Sequence, residues 1–375
     1  MQKTRNLLRS KKIMNPLRFE KQGKVHQYLR EVNKDAYIPM IISIVPFHRG
    51  KSSLQAIEEY KMWYFHDLMS RLPETCLGNM VKAIGKMEGD ARTCYAKPIV
   101  MSSDEFVKKM LVDSCFMLEL FVRCITEPEE ALKSKDPLLN TIRRDMLLLE
   151  NQLPFIVLER LFEIVTSHYP LTNPPLTSNV LITPLLLLDN KLELRPLSSI
   201  NVRHALDLLR NHYLQPFEQY ETSVSTSMVI IPMVVIPCVS DLRESGVKFR
   251  KSGSKDRCKI TFNEDGVFVI PTNTFSDEDE VLYQNIIALE QCDKDCTRKF
   301  TSYILLLNHL IDTEKDVKLL RRKGIMDHYL GSDEAIARVI NKVGTGVLID
   351  GFIYNELYTK VNAYQSRRKT NGKQD

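Results

Sequence analysis

"IRRDMLLLENQLPFIVLERLF", residues 142–162, is a leucine-rich run with a polar knot at its centre. Before the knot, Ile142, Met146 and Leu149 recur at helical spacing. After it, Val157, Leu158, Leu161, Phe162 and Val165 do the same. Pro154 suits the first turn of a new helix, where its missing N–H is not needed, and the residue before a proline avoids helical angles, so Leu153 marks a break. Glu150, Asn151 and Gln152 therefore fall at a corner between two helices. A buried corner must satisfy the free backbone groups of both helix ends. The spacing predicts that these side chains accept N–H groups of the second helix and donate to the last carbonyls of the first.

Other segments repeat the helical period. A helix is expected from about Ser53 to Arg71, with Leu54, Ile57, Lys61, Tyr64, Phe65 and Leu68 on one side and Pro73 closing it. Residues 102–124 start at a capping box, Ser102-x-x-Glu105, and their apolar positions cover most of the cylinder, which predicts deep burial. Glu119 and Arg123 lie i, i+4 on the remaining polar strip. "VRHALDLLRNHYL" reads as a short helix. A second short helix is capped by Ser240 and stopped by Gly246, and a strand follows. "CKITFNEDGVFVI" (258–270) reads as a hairpin turning at Asp265–Gly266. From about Asp277 the chain is helical again, with Thr313-x-x-Asp316 and Ser332 as N-caps and Gly324 and Gly331 as stops. The fold class is mainly α: a large helical domain with a small antiparallel β element near 258–270.

Charge sets the limits of this domain. Residues 1–30 carry nine Lys or Arg against Glu20, a net +8, so the remaining 345 residues carry −3. The last 16 residues add Lys360, Arg367, Arg368, Lys369 and Lys373 against Asp375. Residues 1–24 are expected to be a mobile basic tail, 25–365 a single domain and 366–375 a second mobile basic tail. Residues 167–200, with prolines at 170, 174, 175, 184 and 196, are expected to form an irregular excursion. No apolar run reaches about 18 residues, and the N-terminus lacks the apolar stretch of a signal peptide. None of the eight cysteines forms Cys-x-x-Cys, which disfavours zinc and fits a reducing compartment.

The order of these pieces carries a resemblance. "REVNKDAYIPMIISIVPFHRG", "MLVDSCFMLELF", "RRDMLLLENQLPFIVLERLF", "DLLRNHYL", "DLRESGVKFRKS", "VLYQNIIALEQC" and "DVKLLRRKGIMDHYLGSDE" resemble successive blocks of the plant "domain of unknown function 247" family. The resemblance runs from about residue 25 to 365, and Leu147–Pro154 is its most specific mark. It implies a largely helical plant protein with no established enzymatic activity, in a family whose members usually end in one membrane-spanning helix and include male determinants of grass self-incompatibility. Two departures stand out. The family's Gly-Pro-Tyr-His-His-Gly is Val45-Pro46-Phe47-His48-Arg49-Gly50 here, and the chain ends at "VNAYQSRRKTNGKQD", where a member approaches its membrane helix. The second departure suggests a truncated or naturally tail-less member.

Few constellations suggest chemistry. "VPFHRGKS" (45–52) is a P-loop pattern whose first glycine is Val45, with His48, Lys51 and Ser52 as phosphate candidates. Pro46 removes an N–H donor that such a loop needs, and no apolar strand ending in Asp follows to complete a magnesium site. Asp113, Asp145 and Glu159 lie on apolar faces, where a carboxylate is normally paired with a cation or bonded to backbone; Arg143, Arg144 and Arg203 are available partners. Trp63 and Tyr64 sit at core-like spacing, which favours packing over base stacking. The family resemblance implies a non-catalytic recognition or signalling module, and no metal or cofactor is expected. Its expected partners are protein, and an anionic membrane surface through the basic tails, with no specific nucleic acid. By the same resemblance it is expected at the plasma membrane or, without a span, in the cytoplasm. The rival is a phosphate- or nucleotide-binding enzyme.

The tails supply a test. Each Lys or Arg near an anionic leaflet contributes about 1 kcal/mol, weakened by salt. Deleting residues 1–24 is expected to abolish sedimentation with phosphatidylserine liposomes at low salt and to leave the circular dichroism spectrum unchanged. Equal binding by the deletion would refute electrostatic anchoring through this segment.

Overall fold

The computed structural model describes residues 24–44, 55–126, 137–168, 202–214, 235–254, 257–293, 296–347 and 351–371. His48, Lys51, Ser52, residues 1–23 and residues 169–200 lie outside them. Thirteen α-helices are present among the described residues. They are α1 (Gln27–Val32), α2 (Gln55–Ser70), α3 (Thr75–Thr93), α4 (Ser103–Thr126), α5 (Pro137–Met146), α6 (Phe155–His168) and α7 (Ala205–Leu214), followed by α8 (Val239–Glu244), α9 (Asp279–Cys292), α10 (Lys299–Leu310), α11 (Glu314–Arg322), α12 (Asp333–Gly344) and α13 (Asn355–Asn371). The fold is mainly α.

Two groups of helices share one contiguous apolar core that runs from Val25 to Val361. In the first, α4 packs against α2, α3 and α6; in the second, α9, α10 and α12 pack on one another, with α7 and α11 alongside. Helix α4 explains why the first group is dense. Residues 110–122 are buried without interruption, as an apolar surface covering nearly the whole cylinder requires. Its start is the expected capping box: Glu105 N donates to Ser102 Oγ at 3.3 Å, and Ser102 N donates to Glu105 Oε2 at 3.3 Å. Thr313 and Asp316 form another capping box at α11, and Ser332 Oγ accepts from Ala335 N at α12.

The β element differs from expectation. β2 (Thr261–Phe262) and β3 (Val267–Pro271) form the expected antiparallel hairpin, turning at Gly266. Yet β1 (Lys248–Ser252) pairs parallel to β3, and β4 (Asn273–Phe275) pairs parallel to β5 (Met326–His328). The element is mixed because β1 pairs with β3 across the hairpin strand β2 that intervenes in sequence, a pairing that hairpin spacing does not encode. At Gly266 the sequence has little choice. Its φ is +75°, and a Cβ there would overlap the Tyr364 ring.

Several local expectations need correction. Helix α8 is capped by Cys238 without a side-chain bond, and Ser240 Oγ instead donates to Asp316 Oδ1 at 2.7 Å. Gly331 lies in the turn before α12 rather than at a helix end. Helix α13 runs on to Asn371, so residues 366–371, expected to be mobile, are helical. Trp63 is 53% exposed, and Glu159 is also exposed.

Candidate functional site

The polar knot between α5 and α6 is where the sequence placed its strongest mark. Asn151 and Gln152 are essentially inaccessible, at 0% and 1% exposure. Helix α5 ends with its last carbonyls pointing into the core, and the two amides meet them. Asn151 Nδ2 donates to Asp145 O at 2.8 Å and to Ile42 O at 2.9 Å. Gln152 Nε2 donates to Met146 O and Leu148 O, both at 2.7 Å. The expectation for the first helix therefore holds.

The expectation for the second helix does not. The side-chain oxygens accept from distant segments instead of from α6: Asn151 Oδ1 from Ile44 N at 2.8 Å, Gln152 Oε1 from Leu206 N at 3.0 Å. The N–H of Phe155, at the start of α6, goes to Arg203 O at 2.8 Å. Pro154 needs no partner there. Glu150 Oε1 accepts Val25 N at 3.0 Å, and its other oxygen pairs with Arg30. Asp145 receives Met40 N at 3.0 Å, Ile41 N at 2.8 Å and Ile42 N at 3.0 Å, with Arg144 at 2.7 Å. The corner thus ties the 24–44 segment and α7 onto the first helix group.

A second cluster lies between α2 and α4. Lys61 Nζ, fully buried, reaches Asp113 Oδ1 at 2.8 Å, Glu58 Oε1 at 2.6 Å and the Ser43 carbonyl. Lys109 approaches Asp113 at 3.2 Å and Glu58 at 3.2 Å. Burial raises the Asp113 carboxyl above its ordinary range despite both lysines. Sequence reading placed Lys61 on the apolar face of its helix but matched Asp113 with arginines; the lysine on that face was the missed signal. Arg143 and Arg203 have other partners, Glu278 at 2.6 Å and Asp293 at 2.5 Å respectively.

The third cluster was not foreseen. Glu290, at 0% exposure, accepts Arg210 Nε at 2.7 Å, Phe300 N at 3.2 Å, and Thr301 N and Oγ1 at 2.8 and 2.7 Å. It caps α10 from α9. Nearby, His204 caps α7, its Nδ1 accepting Asp207 N at 3.2 Å. Burial lowers the His204 imidazole to about 4, with Arg203 also disfavouring its charge and Asp207 and Asp293 favouring it.

One aromatic group opens to the surface. The Arg123 guanidinium lies 4.8 Å from the Trp63 ring centre and 4.9 Å from that of Tyr64, and it bonds Glu119 at 2.7 Å and Asp67 at 2.5 Å. Tyr64 is packed as expected, whereas Trp63 offers its outer face to solvent. No helix among the described residues is long and apolar enough to cross a membrane.

A family model described as "Plant protein of unknown function", DUF247, matches residues 23–374. The UPF0481 protein At3g47200 of Arabidopsis thaliana is 26% identical over 362 residues, spanning 90% of this chain and 75% of that protein. The Putative UPF0481 protein At3g02645 of the same plant is 23% identical over 424 residues, spanning 89% of this chain and 80% of its own length. No solved structure matches.

Two variants test the site. Asn151→Ala strands one N–H and two carbonyls in the core, and each such group costs about 1–3 kcal/mol. A loss of about 3 kcal/mol or more is expected in urea unfolding, and an unchanged midpoint would show a solvated corner. His204 is neutral when folded down to about pH 4, whereas the unfolded imidazole titrates near 6.5. Between those values the unfolded state binds more protons. The contribution is complete above about pH 6.5 and is lost as pH falls through about 4, a total of about 3 kcal/mol. His204→Asn retains a cap acceptor without titrating. Urea titrations from pH 7 to 4.5 should show a shallower decline in the variant than in wild type; parallel declines would refute this role for His204.

Proposed function

The chain belongs to the DUF247 family of plant proteins of unknown function, and on that premise we propose that it is a non-catalytic recognition or signalling module that works by binding other proteins. One observation carries the reading: among the described residues, the buried polar groups of the corner and of the Asp113 cluster are committed to holding the fold. Asp145, Asn151 and Gln152 bond backbone on several segments. Asp113 has one oxygen without a partner, but it lies at 0% exposure behind two lysines. A general acid or nucleophile needs an atom that a substrate can reach within hydrogen-bonding distance. Membrane association through the basic tails belongs to the same proposal and is supported by their charge. A part in pollen self-incompatibility rests on family resemblance alone.

Two measurements separate this reading from the nucleotide-binding one. Cross-linked capture of the full chain from its native tissue should recover a protein that rebinds when both are purified. Calorimetry with ATP and GTP should show no saturable heat, and Lys51→Ala should leave stability and partner binding unchanged. Saturable nucleotide binding that Lys51→Ala abolishes would overturn the proposal.

A further inference from the structure

Strand β1 carries the sequence Lys248-Phe249-Arg250-Lys251-Ser252 at the edge of its sheet. Its order in the sheet is β1-β3-β2, so among the described residues no strand lies beyond it. Lys248 N donates to Gly266 O at 2.9 Å. In a parallel ladder, alternate residues address the same neighbour, so Lys248, Arg250 and Ser252 turn their backbone to β3. Phe249 and Lys251 turn theirs outward. The Phe249 ring is held beneath, stacked on Phe268 at 5.7 Å, which fixes the strand against the core.

Cations surround this open edge. Lys248, Arg250 and Lys251 are all exposed. The Lys251 side chain crosses to Gly324, where its Cδ would lie 3.7 Å from an added Cβ. That contact brings Arg322 and Lys323, exposed at the end of α11, beside the end of β1. None of these five cations has a carboxylate partner among the described residues. Among the acidic residues of adjoining elements, Glu264 and Asp265 lie in the turn at the Lys248 end, Asp241 and Glu244 lie on α8 just before it, and Asp327 on β5 accepts His328 N. The Arg250 end is therefore the more positive.

We propose that the edge of β1 captures an extended acidic segment of a protein partner by strand addition. Backbone bonds would go to Phe249 and Lys251; carboxylates on one face of the added strand would meet Lys251, Arg322 and Lys323, and those on the other face Arg250. A second copy of this chain fits poorly, since its matching edge would set cation against cation. Anionic lipid would satisfy the charges and leave the outward backbone groups without partners. This inference rests on the reading of the chain as a protein-binding module and names the surface and the chemistry of what it binds.

The probe is a fluorescent ten-residue peptide of alternating Glu and Val, with a control peptide of equal charge N-methylated at alternate residues, titrated against the full chain by anisotropy. Wild type is expected to bind the first peptide at least tenfold more tightly than the control, and more weakly as salt rises. Arg250→Glu/Lys251→Glu should weaken binding at least tenfold, and Arg322→Glu/Lys323→Glu should weaken it in the same direction, both with unchanged circular dichroism. No binding of the first peptide would overturn the proposal, as would equal binding of the control. Binding to phosphatidylserine vesicles or polyuridylate that needs Arg250 and Lys251, without peptide binding, would assign the patch to lipid or nucleic acid instead. A partner captured equally by wild type and by Arg250→Glu/Lys251→Glu would show that this edge is idle while leaving the module reading intact. Failure of wild type to capture any partner would remove that reading without touching the peptide result.

Discussion

Everything in the first half of the molecule depends on the backbone groups left free where α5 ends. Four residues, Asp145 and Glu150 to Gln152, take up those groups and the N–H groups of the incoming 24–44 segment. Asp145, Asn151 and Gln152 each serve three backbone groups. At about 1–3 kcal/mol for each group left without a partner, the corner governs an energy comparable to the whole net stability of a typical domain, about 5–15 kcal/mol. Apolar replacements could fill the volume but could not bond the chain, so the knot interrupts a run that is otherwise leucine.

The buried charges act in the same way at a larger scale. Lys61 and Asp113 join α2 to α4, and Arg210 and Glu290 join α7 to α9 and α10. Such pairs are weak sources of net stability, because their desolvation offsets most of their attraction. Their effect is on which packing is allowed. A slip of α4 along α2 would leave Asp113 or Lys61 alone in the core, at a cost of several kcal/mol. The clusters set the helix registers that a leucine-rich interior would otherwise leave loosely defined.

Among the described residues of the second half, β1 presents outward backbone at a sheet edge. The sheet is small and mixed, and its first strand pairs on one side only among the described residues. Charged edge residues keep such a strand from pairing with its own kind and leave it able to accept an oppositely charged one. Helices bury their backbone bonds internally, so a mainly helical protein has few such openings. The exposed face of Trp63 over Arg123 is another surface feature of the first half, and its guanidinium is already held by Glu119 and Asp67.

Sequence alone determined the helical class, the break at Leu153–Pro154, the capping box at Ser102, the N-cap at Thr313, the Gly266 turn and the need for polar groups at the corner. Each follows from local rules: a period of 3.6, a missing N–H, a positive φ, the free ends of a helix. It also carried the family, through blocks in a fixed order. What it could not determine was which distant groups those local features would meet. Asn151 was legible as a corner residue, but its partner Ile44 lies 107 residues away. Asp113 was legible as a buried carboxylate that needs a cation, but periodicity on two separate helices cannot say that Lys61 rather than an arginine will face it. The parallel pairing of β1 with β3, the Arg210–Glu290 cluster and the exposure of Trp63 are of the same kind. Only tertiary structure decided them, because burial and pairing are properties of two surfaces brought together, and a one-dimensional pattern describes one surface at a time.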